Sequence, residues 1–173
     1  MIQPFNGKYP KISSSAFISD TAHIIGDVEI GKYSSVWPGA VIRGDFGKIS
    51  IGEMTSVEDN CVIHSGSPNS QNQDVVIGNE VHIGHGAVIN CQRIGNNVLI
   101  GMNATILHDV EIENYCIIGA SCLITTNMKI PEDSFVAGVP GKIKGHITKD
   151  QSFWIKKAPQ VYYELSKKYK QRN

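Results

Sequence analysis

The residues best suited to chemistry lie between Arg43 and Asn90. They are Arg43, Asp45, Glu58, Asp59, His64, His85 and Asn90. Neutral imidazole is a good donor to zinc, and a catalytic zinc site keeps one position for water. A carboxylate beside such a water can accept its proton. Arginine two residues from aspartate makes an ion pair. The Asn90 amide oxygen is a harder, weaker donor, better suited to Mg²⁺, Ca²⁺ or Mn²⁺. These types fit a metal centre or a histidine base.

What positions them is a repeat of six residues. Ile or Val stands at every step of three columns. The first holds Ile12, Ile30, Ile51, Ile77, Ile94, Ile112 and Ile130. The second holds Ile18, Val36, Val57, Ile83, Ile100, Ile118 and Val136. The third holds Ile24, Ile42, Ile63, Ile89, Ile106 and Ile124. A helix period does not require this spacing, and neither does a plain strand period. It fits a parallel β-helix in which each hexapeptide is one short strand and one corner. Four residues after each bulky position the side chain is mostly small, as at Ala22, Ala40, Ala87 and Ala104. Residues two apart on a strand share a face, so both series point inward. Glycine follows the bulky residue at Gly31, Gly52, Gly78, Gly84, Gly95, Gly101 and Gly119, where corners with positive φ are expected.

The columns sort the reactive residues. His64 follows Ile63 and Asn90 follows Ile89, so both face outward in the column that contains Arg43 one turn earlier. His85 stands two residues after Ile83, in a column with Asp59. His64 and His85 therefore lie on different faces. One chain does not easily bring them to a single ion, whereas two neighbouring coils can. His82 lies near a corner, and His108 is offset from the His64 column and reads as a surface histidine. Cys61, Cys116 and Cys122 take the small inward position and read as buried thiols. Cys91 sits at a corner, the one cysteine placed for chemistry. There is no CxxC spacing to suggest a cysteine zinc site.

Three breaks interrupt the repeat: extra residues after Ile42, a longer insertion over 65–74, and a missing residue before Ile94. The insertion can cover the site. The spacing predicts a β-helix domain over 1–147 and a helical tail over 148–173 packed on the coil, with Pro159 kinking or restarting the helix. Gly138-Val139-Pro140-Gly141 reads as the turn that ends the coil. The formal net charge of zero gives no global field for nucleic acid. No apolar run is long enough for a membrane span, and no signal-peptide pattern opens the chain. A soluble, cytoplasmic protein is expected.

Arg43-Gly44-Asp45, Glu58-Asp59-Asn60-Cys61-Val62-Ile63-His64 and Ile83-Gly84-His85, set among these repeats, resemble the γ-class carbonic anhydrases and their relatives. The resemblance spans essentially the whole chain. It implies an all-β fold, a single left-handed parallel β-helix with a C-terminal α-helix. It also implies a homotrimer with a metal, zinc or else iron or cobalt, between subunits. His64 and His85 are then metal ligands, and Asn90 stands where the family has its third histidine. Arg43 and Asp45 form an ion pair between subunits. Glu58 and Asp59 lie beside the metal's water as catalytic residues. The implied reaction is reversible hydration of CO2 to bicarbonate, a lyase activity, with the metal lowering the pKa of its water to about 7. Two alternatives stay open. The Phe135–Lys142 segment resembles hexapeptide acyltransferases, which implies acyl-CoA as substrate and His64 or His85 as base. A non-catalytic trimeric binding or scaffold protein is the other.

Overall fold

The computed structural model describes residues 1–66 and 72–171. The chain winds into a left-handed parallel β-helix of about seven turns, closed by one C-terminal helix. The three columns are three faces. On the first, Ile12, Ile30, Ile51, Ile77, Ile94, Ile112 and Ile130 are successive register partners. On the second, the series runs Ile18, Val36, Val57, Ile83, Ile100, Ile118, Val136. On the third it runs Ile24, Ile42, Ile63, Ile89, Ile106, Ile124. Every one of these pairings is parallel.

The core is this stack of β-branched side chains together with the small series. Ile24, Ile42, Ile63, Ile83, Ile100, Ile106, Ile112 and Ile118 are fully buried, as are Ala22, Ala40, Cys61, Ala87 and Ala104. Each fully buried Ile contributes about 1.5–3 kcal/mol relative to exposure. The small residue leaves room for the chain to turn above the bulky one.

The corners differ from the sequence expectation. The left-handed backbone falls three residues after the bulky position, at Asn60, Asn97, Asn103, Asp109, Ser121, Asn127 and Asp133 among others, and at Gly86 (φ 72°). Asn and Asp tolerate this region because their short polar side chains bond locally. The glycines that follow the bulky residue answer a different need. A Cβ on Gly31 would lie 2.5 Å from the Gly52 carbonyl oxygen, and one on Gly101 would lie 2.4 Å from the Ala120 nitrogen. Their role is close stacking of successive turns, not positive φ.

The extra residues after Ile42 make a bulge. The strand Val41–Ile51 rounds the corner from the third face to the first. Its register against His23–Ile30 jumps from the Gly26–Gly44 pair to the Val28–Ile49 pair. Asp45 is thereby lifted out of the ladder. Bulges of this kind redirect a side chain.

Both ends of the coil are paired. Ile2–Gln3 adds to the strand at Ile24, and Lys142–His146 folds back antiparallel on Ser134–Ala137 through the predicted turn. These pairings cover strand edges that would otherwise recruit other chains. The helix Lys149–Lys170 starts with a Thr148–Gln151 capping box. It runs on through Pro159 as one helix, which corrects the expected restart. Ile155, Ala158, Pro159 and Ser166 are buried, so the packed face holds the helix through the proline. The helix lies on the outside of the second face. There Tyr162 meets Trp37 at 5.8 Å between ring centroids, and Tyr169 meets Phe17 at 5.9 Å and Trp37 at 5.2 Å. Among the described residues no helix is long and apolar enough to cross a membrane.

Gly101→Ala should therefore cost about 1–3 kcal/mol from overpacking against the next turn. Asn103→Gly should be nearly neutral, and Asn103→Ala should cost about 1–2 kcal/mol for a left-handed residue without a polar side chain. Urea unfolding of the three variants checks the ranking, and a harmless Gly101→Ala would contradict the stacking role.

Candidate functional site

The third face carries the first group. Arg43 and His64 are register partners, and Asn90 stands one turn beyond His64. The bulge turns Asp45 toward them. Arg43 Nη1 contacts Asp45 Oδ2 within the same chain. Asp45 Oδ1 lies 2.8 Å from His64 Nε2 and accepts the Phe46 backbone N–H at 3.0 Å. Burial pushes the Asp45 carboxyl up, but the His64 hydrogen bond and the Arg43 charge outweigh it and hold the group below its usual value. The Asp45 carboxylate is therefore an acceptor, and His64 donates Nε2–H to it. His64 then keeps its lone pair on Nδ1. Asn90 Nδ2 lies 3.5 Å from that nitrogen and donates to the His64 carbonyl at 3.2 Å.

The second face carries the other group. Glu58 follows Val57, His82 and His85 flank Ile83, and stacking brings the three together. Glu58 is 1% exposed. Its Oε2 accepts the His85 backbone N–H at 2.9 Å and lies 3.0 Å from His85 Nε2. His85 Nδ1 is 2.9 Å from Asp59 Oδ2. Both ring nitrogens of His85 thus face carboxylates. A neutral ring has one N–H, so the second contact calls for a shared cation, a proton or a metal. Glu58 Oε1 lies 3.2 Å from His82 Nε2, and none of the described residues meets hydrogen-bond geometry with it. A buried carboxylate oxygen in that state is costly unless a ligand or water meets it. It borders a cleft of about 240 Å³ whose other walls are His82, His85, Tyr162, Leu99, Ile100 and Met102.

From the sequence His82 lies only near a corner, and Ser56 and Tyr162 are not singled out. His82 sits in register with Ser56, and its Nδ1 is 3.1 Å from the Ser56 hydroxyl. The repeat contains that pairing, because both residues directly precede a second-face bulky position. Tyr162 had no such signal. It comes from the helix, stacks on His82 at 4.7 Å between ring centroids, and reaches Glu58. Burial and then the Glu58 carboxylate push its phenol well up, so it stays protonated.

Cys91 is 1% exposed and burial pushes its thiol up to about 12. Its corner is a core position, so it is inert, which corrects the reading that placed it for chemistry. Of the insertion over 65–74, residues 67–71 lie outside the described residues. Asp74, at its end, accepts the Lys48 backbone N–H at 2.8 Å.

A family model described as bacterial transferase hexapeptide (six repeats) matches residues 9–44 and 93–126. A probable carbonic anhydrase of Methanocaldococcus jannaschii is 48% identical over 90% of this chain and 95% of its own length. The mitochondrial gamma carbonic anhydrase 2 of Arabidopsis thaliana is 33% identical over 96% of this chain. This chain belongs to the γ-class carbonic anhydrase-like family of hexapeptide-repeat proteins. It spans 60% of the Arabidopsis member's length. Among solved structures, a hexapeptide transferase family protein from Anaplasma phagocytophilum matches this γ-class-like chain with a TM-score of 0.91. It is 36% identical and the match covers 97% of each chain.

The family's metal can be tested against the residues present. Among the described residues of one chain, no group of three or more His, Cys, Asp and Glu is arranged to hold an ion. Each of two groups instead offers one imidazole whose other nitrogen faces a carboxylate: His64 with Asp45, and His85 with Asp59. That is the usual setting of a metal-bound histidine. The donor set would fit a divalent cation if a second chain brought the two groups together.

Burial lowers the His82 imidazole from 6.5, and His85 adds to the fall while Glu58 opposes it. The unfolded chain then takes up this proton at higher pH than the folded chain. The contribution of neutral His82 to stability is full above about 6.5 and is lost as pH falls toward the lower folded value. The urea midpoint should drop between pH 7 and 5 in wild type and drop less in His82→Asn. Equal slopes would show that His82 does not carry the effect.

Proposed function

We propose that the protein catalyses reversible hydration of CO2 to bicarbonate at a divalent-metal centre between copies of the chain, assembled as a homotrimer. The observation that carries this reading is Glu58. It is a buried carboxylate whose Oε1 lacks a hydrogen bond, next to His85 and at the edge of a small, partly apolar cleft. The curated relatives named carbonic anhydrase support the choice of reaction.

His64 of one chain and His85 of the next would hold the metal, zinc or else iron or cobalt. When bound, the ion supplies Lewis acidity that brings the pKa of a water near 7. Asp59 on His85 Nδ1 fixes the ring, with Nε2 3.0 Å from Glu58 Oε2. Asp45 does the same for His64 through Nε2, leaving Nδ1. Glu58 accepts the proton from water at Oε1. Its Oε2 stays on the His85 backbone N–H, so the carboxylate keeps its direction. Leu99 and Met102 give CO2, which has no net dipole, an apolar wall. Arg43 holds Asp45 in place, and its half-exposed side chain can also reach a neighbouring chain.

The Anaplasma likeness supports a second reading, CoA-dependent acyl transfer with His85 as base. Metal content and stopped-flow CO2 hydration separate the readings. Wild type should hold metal and hydrate CO2, and His64→Ala with His85→Ala should hold none. Glu58→Gln should keep the metal and lose about 10²–10⁴ in kcat. A metal-loaded trimer with no hydration above buffer, together with saturable acetyl-CoA binding, would move the assignment to acyl transfer.

A further inference from the structure

We propose that one flank of the C-terminal helix, with the corner beside it, packs head to tail on the third face of a second copy of the chain. This rests on the reading above that the site lies between copies, but the contact itself needs no ion. The three faces are finished differently. On the first, outward side chains pair by charge, Lys11 with Glu29, and Arg93 and Lys129 with Glu111. That face suits water. The second lies under the helix. The third is bare. Val62 and Val88 are register partners exposed on it, and Phe46 stands exposed against His64. Among the described residues, its outward columns from Val41 to Thr125 hold one formal charge, Arg43.

A second apolar strip lies on the helix. Trp154, Val161 and Leu165 are exposed and fall on one line, because they stand seven and then four residues apart. Tyr163 is on the opposite flank, across the buried line of Ile155, Pro159 and Ser166. It meets Tyr33, which stands between Ile30 and Val36 at the corner of the first and second faces. The strip therefore runs along the other edge of the second face, at its corner with the third. Exposed Met102 and half-exposed His85 occupy that corner. Apolar strips of this kind mark contact surfaces. Each borders one histidine group, that of His64 or that of His85. The two strips belong to one chain, and their contact is the one that sets His64 of one copy near His85 of the next. The occupant is therefore a second copy. Two unlike patches make a heterologous contact, which closes into a ring when the rotation fits.

Light scattering with EDTA present reads the contact without any ion. Wild type should have three times the chain mass of 18.9 kDa. Val161→Asp puts an unpaired charge into the contact and should weaken association by about 100-fold or more. Val88→Asp on the third face should do the same. Phe153→Asp, on the solvent side of the helix, should leave the mass unchanged. Mixing the Val161→Asp and Val88→Asp proteins restores one intact contact. The mixture should therefore be heavier than either variant alone, which also shows that both are folded. A wild-type monomer, a Val161→Asp protein with the wild-type mass, or a mixture no heavier than its parts would overturn the proposal. So would a Val88→Asp protein that still dimerises, because the helix strip would then pair with itself. A trimer that Val161→Asp dissociates but that takes up no Co²⁺ would uphold the contact and count against the metal-centre reading instead.

Discussion

Everything in this molecule depends on the vertical stacking of Ile and Val at a fixed register. A strand of two or three residues has too few hydrogen bonds to stand alone. Here each strand lies between two like strands, and its bulky residue sits on the same residue type above and below. Stability is then a sum of contacts between neighbouring turns. The close approach of turns removes Cβ atoms from several of the sites after the bulky residues, and left-handed backbone falls at Asn and Asp corners. The same regularity acts as a ruler for function. Any residue facing outward is placed by its distance from the nearest Ile or Val.

The two candidate half-sites show how polar groups are hung on that ruler. His64 and His85 each have a ring nitrogen on a carboxylate, Asp45 in one case and Asp59 in the other. Such pairs orient the ring, and in His85 the second nitrogen faces Glu58 as well. The bulge after Ile42 is what delivers Asp45. Without its extra residues, Asp45 would sit in the ladder and could not turn back to His64. Deviation from the repeat thus builds the site, and adherence to it builds the scaffold.

The C-terminal helix joins the two. Its apolar face covers Phe17 and Trp37 on the second face. The same placement brings Tyr162 over His82 and to the edge of the Glu58 cleft. One packing event therefore covers the coil and encloses a carboxylate. The lowered His82 imidazole and raised Tyr162 phenol both follow from that enclosure.

The faces, the buried columns and the stacking of Arg43, His64 and Asn90 were legible from the sequence alone, because a strict period leaves each residue one place to go. The separation of the His64 and His85 groups was legible for the same reason. The glycine columns were visible too, but their cause was not, since a clash between turns exists only once the turns are stacked. Pro159 reads as a break, and only packing of Ile155 and Ala158 carries the helix through it. Cys91 reads as a corner, and only the closed coil buries it. Tyr162 could not be placed, because the helix lies outside the repeat and its docking is decided by aromatic contacts distant in sequence. Local period determined the scaffold. Long-range packing decided which polar atoms were shielded from water, and hence that the Glu58 carboxylate is buried.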